Sequence, residues 1–218
     1  VRGTEASVFV DPAVAATVRM AWVRPADRQP DSRLQRLRNL EELLAVTILN
    51  RRLEKLAQAE GAPPFVSAQA ATSELEDTAD TTSIGAVARR GDWRSALRSI
   101  DQEQRRLVQF GVTPDEVERE LTGARAAMEA TVAAASTRTS QSLAEMLVAA
   151  VNRDNVATTP ADRLAFFDEV APTLTPERIQ AAAKRLFEGS GPLLYLTLPS
   201  AVPSAREQLL AVHAASQK

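Results

Sequence analysis

The stretch LLAVTILNRRLEKLAQAEGAPPFVSAQA, residues 43–70, changes periodicity halfway. Up to Glu60 the apolar residues recur every three or four positions, as on a helix. After Gly61-Ala62-Pro63-Pro64 they alternate with small polar ones, as on a strand. A helix that feeds straight into a strand of small residues needs a sheet to lie on, so this segment alone points to a layered fold of both element types.

The flanking sequence supplies the rest of that sheet. ASVFV (6–10) and ATVRMAWVR (16–24) are rich in β-branched and aromatic residues, and they read as two short strands around an Asp11-Pro12 turn. Ser32 followed by Gln35 reads as a capping box that opens the long helix. On that helix Leu34, Leu37, Leu40, Leu44 and Ile48 form one stripe, and Val46, Leu49, Leu53 and Leu56 form a second. Two stripes predict a helix buried on most of its girth. FVSAQAATSEL (65–75) and TTSIGAVARR (81–90) read as an antiparallel hairpin with an acidic loop. Small residues at Ser67, Ala68, Ala70, Gly85 and Ala86 would let the helix lie close on these strands.

From Asp92 the pattern is helical almost to the end. Trp93, Ala96, Leu97, Ile100 and Leu107 define one face, and Gly111 supplies the stop. Thr113-Pro114-Asp115-Glu116, Thr159-Pro160-Ala161-Asp162 and Thr175-Pro176-Glu177-Arg178 each place a hydroxyl at the N-cap, proline at the first helical position and an acid in the first turn. PLLYLTLPS (192–200) reads as a buried strand returning to the sheet, and a final helix spans roughly 203–215. The order predicts an α+β fold, with a mainly antiparallel or mixed sheet packed against several helices. The expected division is one α+β domain over residues 1–200, with 201–218 as a C-terminal helix or linker. There is no initiator methionine and the chain opens in mid-pattern, which reads as a fragment of something longer.

Composition removes several function classes. The 26 basic and 28 acidic residues are interspersed, so no basic stripe is available to a phosphate backbone, and nucleic acid is not an expected partner. No apolar run reaches the roughly 18–20 residues that cross a bilayer, so no membrane span is expected and the chain reads as soluble. The chain contains no cysteine, which excludes disulfides and thiolate metal sites and fits a reducing or an oxidising compartment equally.

Candidate chemistry is sparse. His213 is the only histidine. It cannot build a multi-histidine zinc site, and it reads as a surface residue on an exposed helix. The acidic loop Glu74, Glu76, Asp77, Asp80 offers hard oxygens but lacks the glycine and the ligand alternation of a calcium loop; solvated carboxylates fit it better, and metal binding there stays open. Gly189-Ser190-Gly191 leaves a helix and enters a strand, the reverse of a phosphate loop, and reads as a C-cap. Ser67 and Ser83 have no activating neighbour in sequence. Arg51, Arg52, Glu54 and Lys55 read as a solvated, mutually neutralising face. No catalytic, cofactor-binding or metal residue is assigned.

The ordered series VRMAWVRPADRQPDSRLQRLRNLEELLAVTILNRRLEKLAQAEGAPPFVSAQA, ARRGDWRSALRSIDQEQRRLVQFGVTPDEVERE, LTPERIQAAAKRLF and GPLLYLTLP resembles the second, non-zinc-binding domain of a pitrilysin/insulinase-type zinc metallopeptidase half, over nearly the whole chain. The resemblance implies a sandwich like that of a metallopeptidase half. Two such halves close around a chamber for peptide substrates, and zinc in the parent protein is held by an inverted H-x-x-E-H motif. That motif is absent here. The family's substrate-holding arginine and tyrosine are also absent: Ala57, Gln58 and Phe65 stand at the corresponding places. The implied function is a non-catalytic wall of the chamber, without activity of its own. Its partners would be the catalytic domain and the second half of the same peptidase, and its location a bacterial periplasm or other exported site. The alternative is an inactive homologue serving as a structural or assembly subunit. An unrelated helical binding module would require the strands to be wrong.

Overall fold

The structure is a computed structural model that describes residues 2–75 and 78–217. Its strands are β1 (Glu5–Val10), β2 (Thr17–Pro25), β3 (Phe65–Leu75), β4 (Ala79–Ala88) and β5 (Ser190–Leu198). Seven α-helices lie among the described residues: α1 (Arg33–Ala57), α2 (Trp93–Phe110), α3 (Pro114–Ala133), α4 (Ser140–Asn152), α5 (Pro160–Val170), α6 (Pro176–Leu186) and α7 (Ala205–Ser216). The fold class is the expected α+β.

The strands form one mixed sheet in the order β1-β5-β2-β4-β3, in which only the β1–β5 pairing is parallel. The two N-terminal strands are therefore not neighbours. β5 is inserted between them, and the Asp11-Pro12 connection crosses its end, where the Asp11 amide donates to the Leu198 carbonyl at 2.9 Å. A strand whose alternate residues Leu194, Leu196 and Leu198 are all buried belongs in the interior of the sheet, which leaves short β1 at an edge.

Burial alternates along the three inner strands. Val18, Met20 and Trp22 of β2, Ile84, Ala86 and Ala88 of β4, and Leu194, Leu196 and Leu198 of β5 point into the core, and the residues between them do not. Helices α1, α2, α6 and α7 cover this core face, with Ile48, Leu49, Leu53, Leu97, Ile100, Ile179, Leu186 and Leu209 fully buried. Trp22 meets Phe187, just past α6, edge to face with ring centroids 4.8 Å apart. α3 and α5 form an outer layer over α1. The small strand residues divide between the faces: Ala68, Ala70 and Ala86 lie toward the helices, whereas Ser67 and Gly85 lie on the other side. α1 is also less buried than its stripes predict, since Leu34 and Leu43 are exposed on its flank.

Helix starts follow the hydroxyls. Thr113 and Thr159 close full capping boxes with Glu116 and Asp162, and Thr175 caps α6. The Ser32–Gln35 box forms only by half. The Ser32 hydroxyl accepts from the Gln35 amide, but the Gln35 side chain turns to Asp27 and Asn39, which supply better-placed acceptors. Gly111 stops α2 at φ 74°, and the Gln180 side chain of α6 donates to the carbonyls of Val108 and Gln109, ending that helix against its neighbour. Gly189 has φ 97°, and a Cβ there would sit 2.4 Å from the Val23 carbonyl oxygen. Its place is set by the turn into β5 and by close backbone approach, with no phosphate-loop geometry.

Candidate functional site

All seven helices leave the second face of the sheet uncovered, and strand pairing sets what that face displays. Across β1-β5-β2-β4-β3, one row reads Phe9, Thr197, Thr17, Val87, Ser67. The next row reads Ser7, Tyr195, Arg19, Gly85, Gln69, and the third reads Glu5, Leu193, Ala21, Ser83, Ala71. The whole first row, the second from Tyr195 to Gln69, and Ser83 and Ala71 of the third floor a cleft of about 920 Å³, which continues around edge strand β3 to Asn50, Glu54, Ala57 and Gln58 of α1 and its end. It is a shallow surface of hydroxyls, amides and small apolar groups.

The edge of β3 is partly closed by α1. The Asn50 side chain accepts from the Ala70 amide at 2.7 Å and donates to the Ala70 carbonyl at 3.0 Å, taking the position a sixth strand would hold. Ala70 is 2% exposed, so both groups would otherwise be buried without partners. Asn50→Ala is expected to lower stability by about 1 kcal/mol, read from urea denaturation at pH 7, while leaving the helical circular dichroism intact.

The residues singled out from sequence do not gather at one place. His213 is buried, 8% exposed, and not on a free surface. α7 lies against α2, and Asp101 of α2, itself 1% exposed, receives the Ser216 hydroxyl at 2.6 Å and the Gln217 amide at 2.8 Å, with His213 Nε2 at 3.6 Å. Burial pushes the His213 imidazole below its ordinary value; the nearby Asp101 carboxylate opposes this and Arg105 adds to it. The cluster ties the C-terminal helix to the core. Glu74 and Asp80 lie at the hairpin end, where Asp80 accepts from the Asp27 amide; Glu76 and Asp77 lie outside the described residues. Among the described residues no three His, Cys or acidic side chains converge to hold a metal ion.

Arg52 departs from the expected solvated face. Its guanidinium makes two 2.7 Å hydrogen bonds to the Glu116 carboxylate and one to the Gly111 carbonyl, with both side chains 16% exposed. The pair pins α1 to the start of α3. Arg51 stays outside, 3.5 Å from Glu54 and 3.4 Å from Glu120. Ser67 and Ser83 both floor the cleft, as do Ala57 and Gln58, and Phe65 is fully buried. The two residues that sequence reasoning passed over are Arg19 and Tyr195. The signal for Arg19 was available in the alternation of the strand at 16–24, where arginine falls on the face opposite Val18 and Met20.

No family model matches the chain, and no curated protein does. Solved structures match it along its length. The first half of the periplasmic protease PqqL from Escherichia coli has a TM-score of 0.86 at 13% identity, covering 98% of this chain and 47% of that one. A predicted insulinase family protease from Yersinia pestis has a TM-score of 0.78 at 12% identity, covering 100% and 47%. The chain has the fold of an insulinase-type peptidase domain. It spans about half the length of those two structures. The same insulinase-type fold occurs in the peptidase M16 inactive domain from Pseudomonas fluorescens, with a TM-score of 0.60 at 12% identity over 92% of this chain and 44% of that one. Among the described residues no helix is long and apolar enough to cross a membrane.

Proposed function

We propose that this chain is the non-catalytic domain of a zinc-dependent endopeptidase, and that the helix-free face of its sheet forms part of the wall of a peptide-enclosing chamber. The observation that carries the reading is that face: a broad, mostly uncharged surface flooring a cleft of about 920 Å³, displayed by a fold shared with the PqqL half-molecule. With His213 as its one histidine, the chain has no H-x-x-E-H motif, so zinc and the water-activating glutamate belong to another domain of the parent protein. The catalytic domain and a second half are then its partners, peptides its ligands, and the periplasm its compartment, in keeping with the location of the Escherichia coli neighbour.

The test is a cleavage assay on the purified chain with quenched fluorescent peptides, with and without chelator, beside a measurement of bound zinc. No chelator-sensitive cleavage and no stoichiometric zinc are expected, with activity appearing when a domain carrying the motif is supplied. Zinc-dependent cleavage by the chain alone would overturn the proposal. The fold likeness to an inactive peptidase domain supports a second reading, an inactive homologue acting as a structural subunit. That reading predicts no activity even in the complete assembly.

A further inference from the structure

We infer that the open sheet face selects extended peptides carrying an acidic side chain, with Arg19 as the anchor for that carboxylate. The inference rests on the chamber-wall reading and adds the chemistry of what lies against the wall. Arg19 sits on β2, the middle strand of five, and is exposed. Its register partner on one side is Tyr195, and on the other Gly85, which has no side chain. The arginine uses that gap, since its Nε lies 3.9 Å from where a Cβ on Gly85 would be. Among the described residues neither the Arg19 nor the Tyr195 side chain has a hydrogen-bond or ion-pair partner.

The surroundings leave the Arg19 charge unanswered. The row with Phe9, Thr197, Thr17, Val87 and Ser67 carries no charge. Glu5 stands two strands away on edge strand β1, about 10 Å across the sheet. Glu54, at the far rim, is already committed to Arg51 at 3.5 Å and to the Gln58 amide. A planar guanidinium beside the phenol of its register partner Tyr195 suits one carboxylate; a phosphate dianion calls for more than one cation. The cleft extends from Phe9 on β1 to Val66 on β3, so two strands, roughly 10 Å, lie on each side of Arg19. A peptide held at the middle of such a surface continues in both directions, so the carboxylate belongs to an internal Asp or Glu and not to a chain terminus.

The test uses N-acetylated, C-amidated, fluorescently labelled peptides of about eight residues, enough to cross the sheet when extended. One carries a central glutamate and the other a glutamine in its place. Binding is followed by anisotropy with the unaltered chain, Arg19→Gln and Gly85→Leu, the last filling the cleft floor at a site where a Cβ meets only ordinary contacts. We expect the glutamate peptide to bind about tenfold more tightly, the preference to vanish in Arg19→Gln, and both peptides to weaken in Gly85→Leu. Equal binding of the two peptides by the unaltered chain, still weakened by Gly85→Leu, would overturn the carboxylate anchor and leave the face as a peptide surface. Binding indifferent to Gly85→Leu, or no binding at all, would overturn both the anchor and the chamber-wall reading.

Discussion

Trp22→Ala is expected to destabilise the chain by about 3–5 kcal/mol and to lower its Tm by roughly 10 °C. Trp22 is 5% exposed on the core face of the central strand, and its ring meets Phe187 edge to face at an interplanar angle of 74°. Truncation removes the transfer energy of an indole and opens a cavity between the sheet and the end of α6, where the backbone on both sides is held and cannot collapse. Because Trp93 is the only other tryptophan, its fluorescence reports unfolding of the variant without interference. Phe187→Leu should cost less, and the double-mutant cycle should return about 1 kcal/mol for the ring pair itself. Since Trp22 points away from the open face, peptide binding by the folded fraction should not change. A loss of less than about 1 kcal/mol in Trp22→Ala would mean that the sheet and α6 are not packed as described.

The second large effect is electrostatic and depends on pH. The Arg52 guanidinium, helped by the Thr113 amide against a burial penalty, holds the Glu116 carboxyl down to about 2, from an ordinary 4.5. A carboxylate whose value is depressed on folding contributes stability that is fully present above the unfolded value and is lost as pH falls toward the folded one. The contribution should therefore be complete above about pH 5 and disappear between about pH 4.5 and 2. Solvent at the rim of the pair discounts the nominal figure, leaving about 2 kcal/mol. Glu116→Gln keeps the shape and removes the charge, so at pH 7 it should cost about that much, and the gap to the unaltered chain should close at low pH. Urea denaturation of both proteins at pH 7, 4 and 2.5 measures it. A gap that stays constant with pH would assign the loss to the capping box and not to the ion pair.

Much of the element pattern was legible because its physics is local. A hydroxyl at an N-cap acts three residues away, so Thr113, Thr159 and Thr175 announced their helices. Gly111 and Gly189 mark stops for the same reason. The hairpin of β3 and β4 was legible from two alternating runs and a short connection. The site was legible only in part. Its floor follows from the alternation in β2 and β4, but the placement of Tyr195 beside Arg19 requires β5 to pair with β2, across a separation of 176 residues that no local pattern records. The exposure of His213 was misread because a single helix with small residues around it gives no sign of Asp101 waiting on α2.

By itself the sequence determined where the threonine-capped helices begin, that the elements are of the α+β class, and that one histidine and no cysteine leave no zinc-peptidase motif in the chain. Tertiary structure alone decided the strand order, which face of the sheet the helices leave bare, and which charges find partners. Arg52 reaches Glu116 across a separation of 64 residues, and Glu41 collects Arg178 and Arg185 at separations of 137 and 144. The division has one physical cause. Caps, turns and alternation draw their energy from neighbours within a turn of chain, whereas strand order and ion pairing are settled by which arrangement buries the most apolar surface while leaving every buried charge answered.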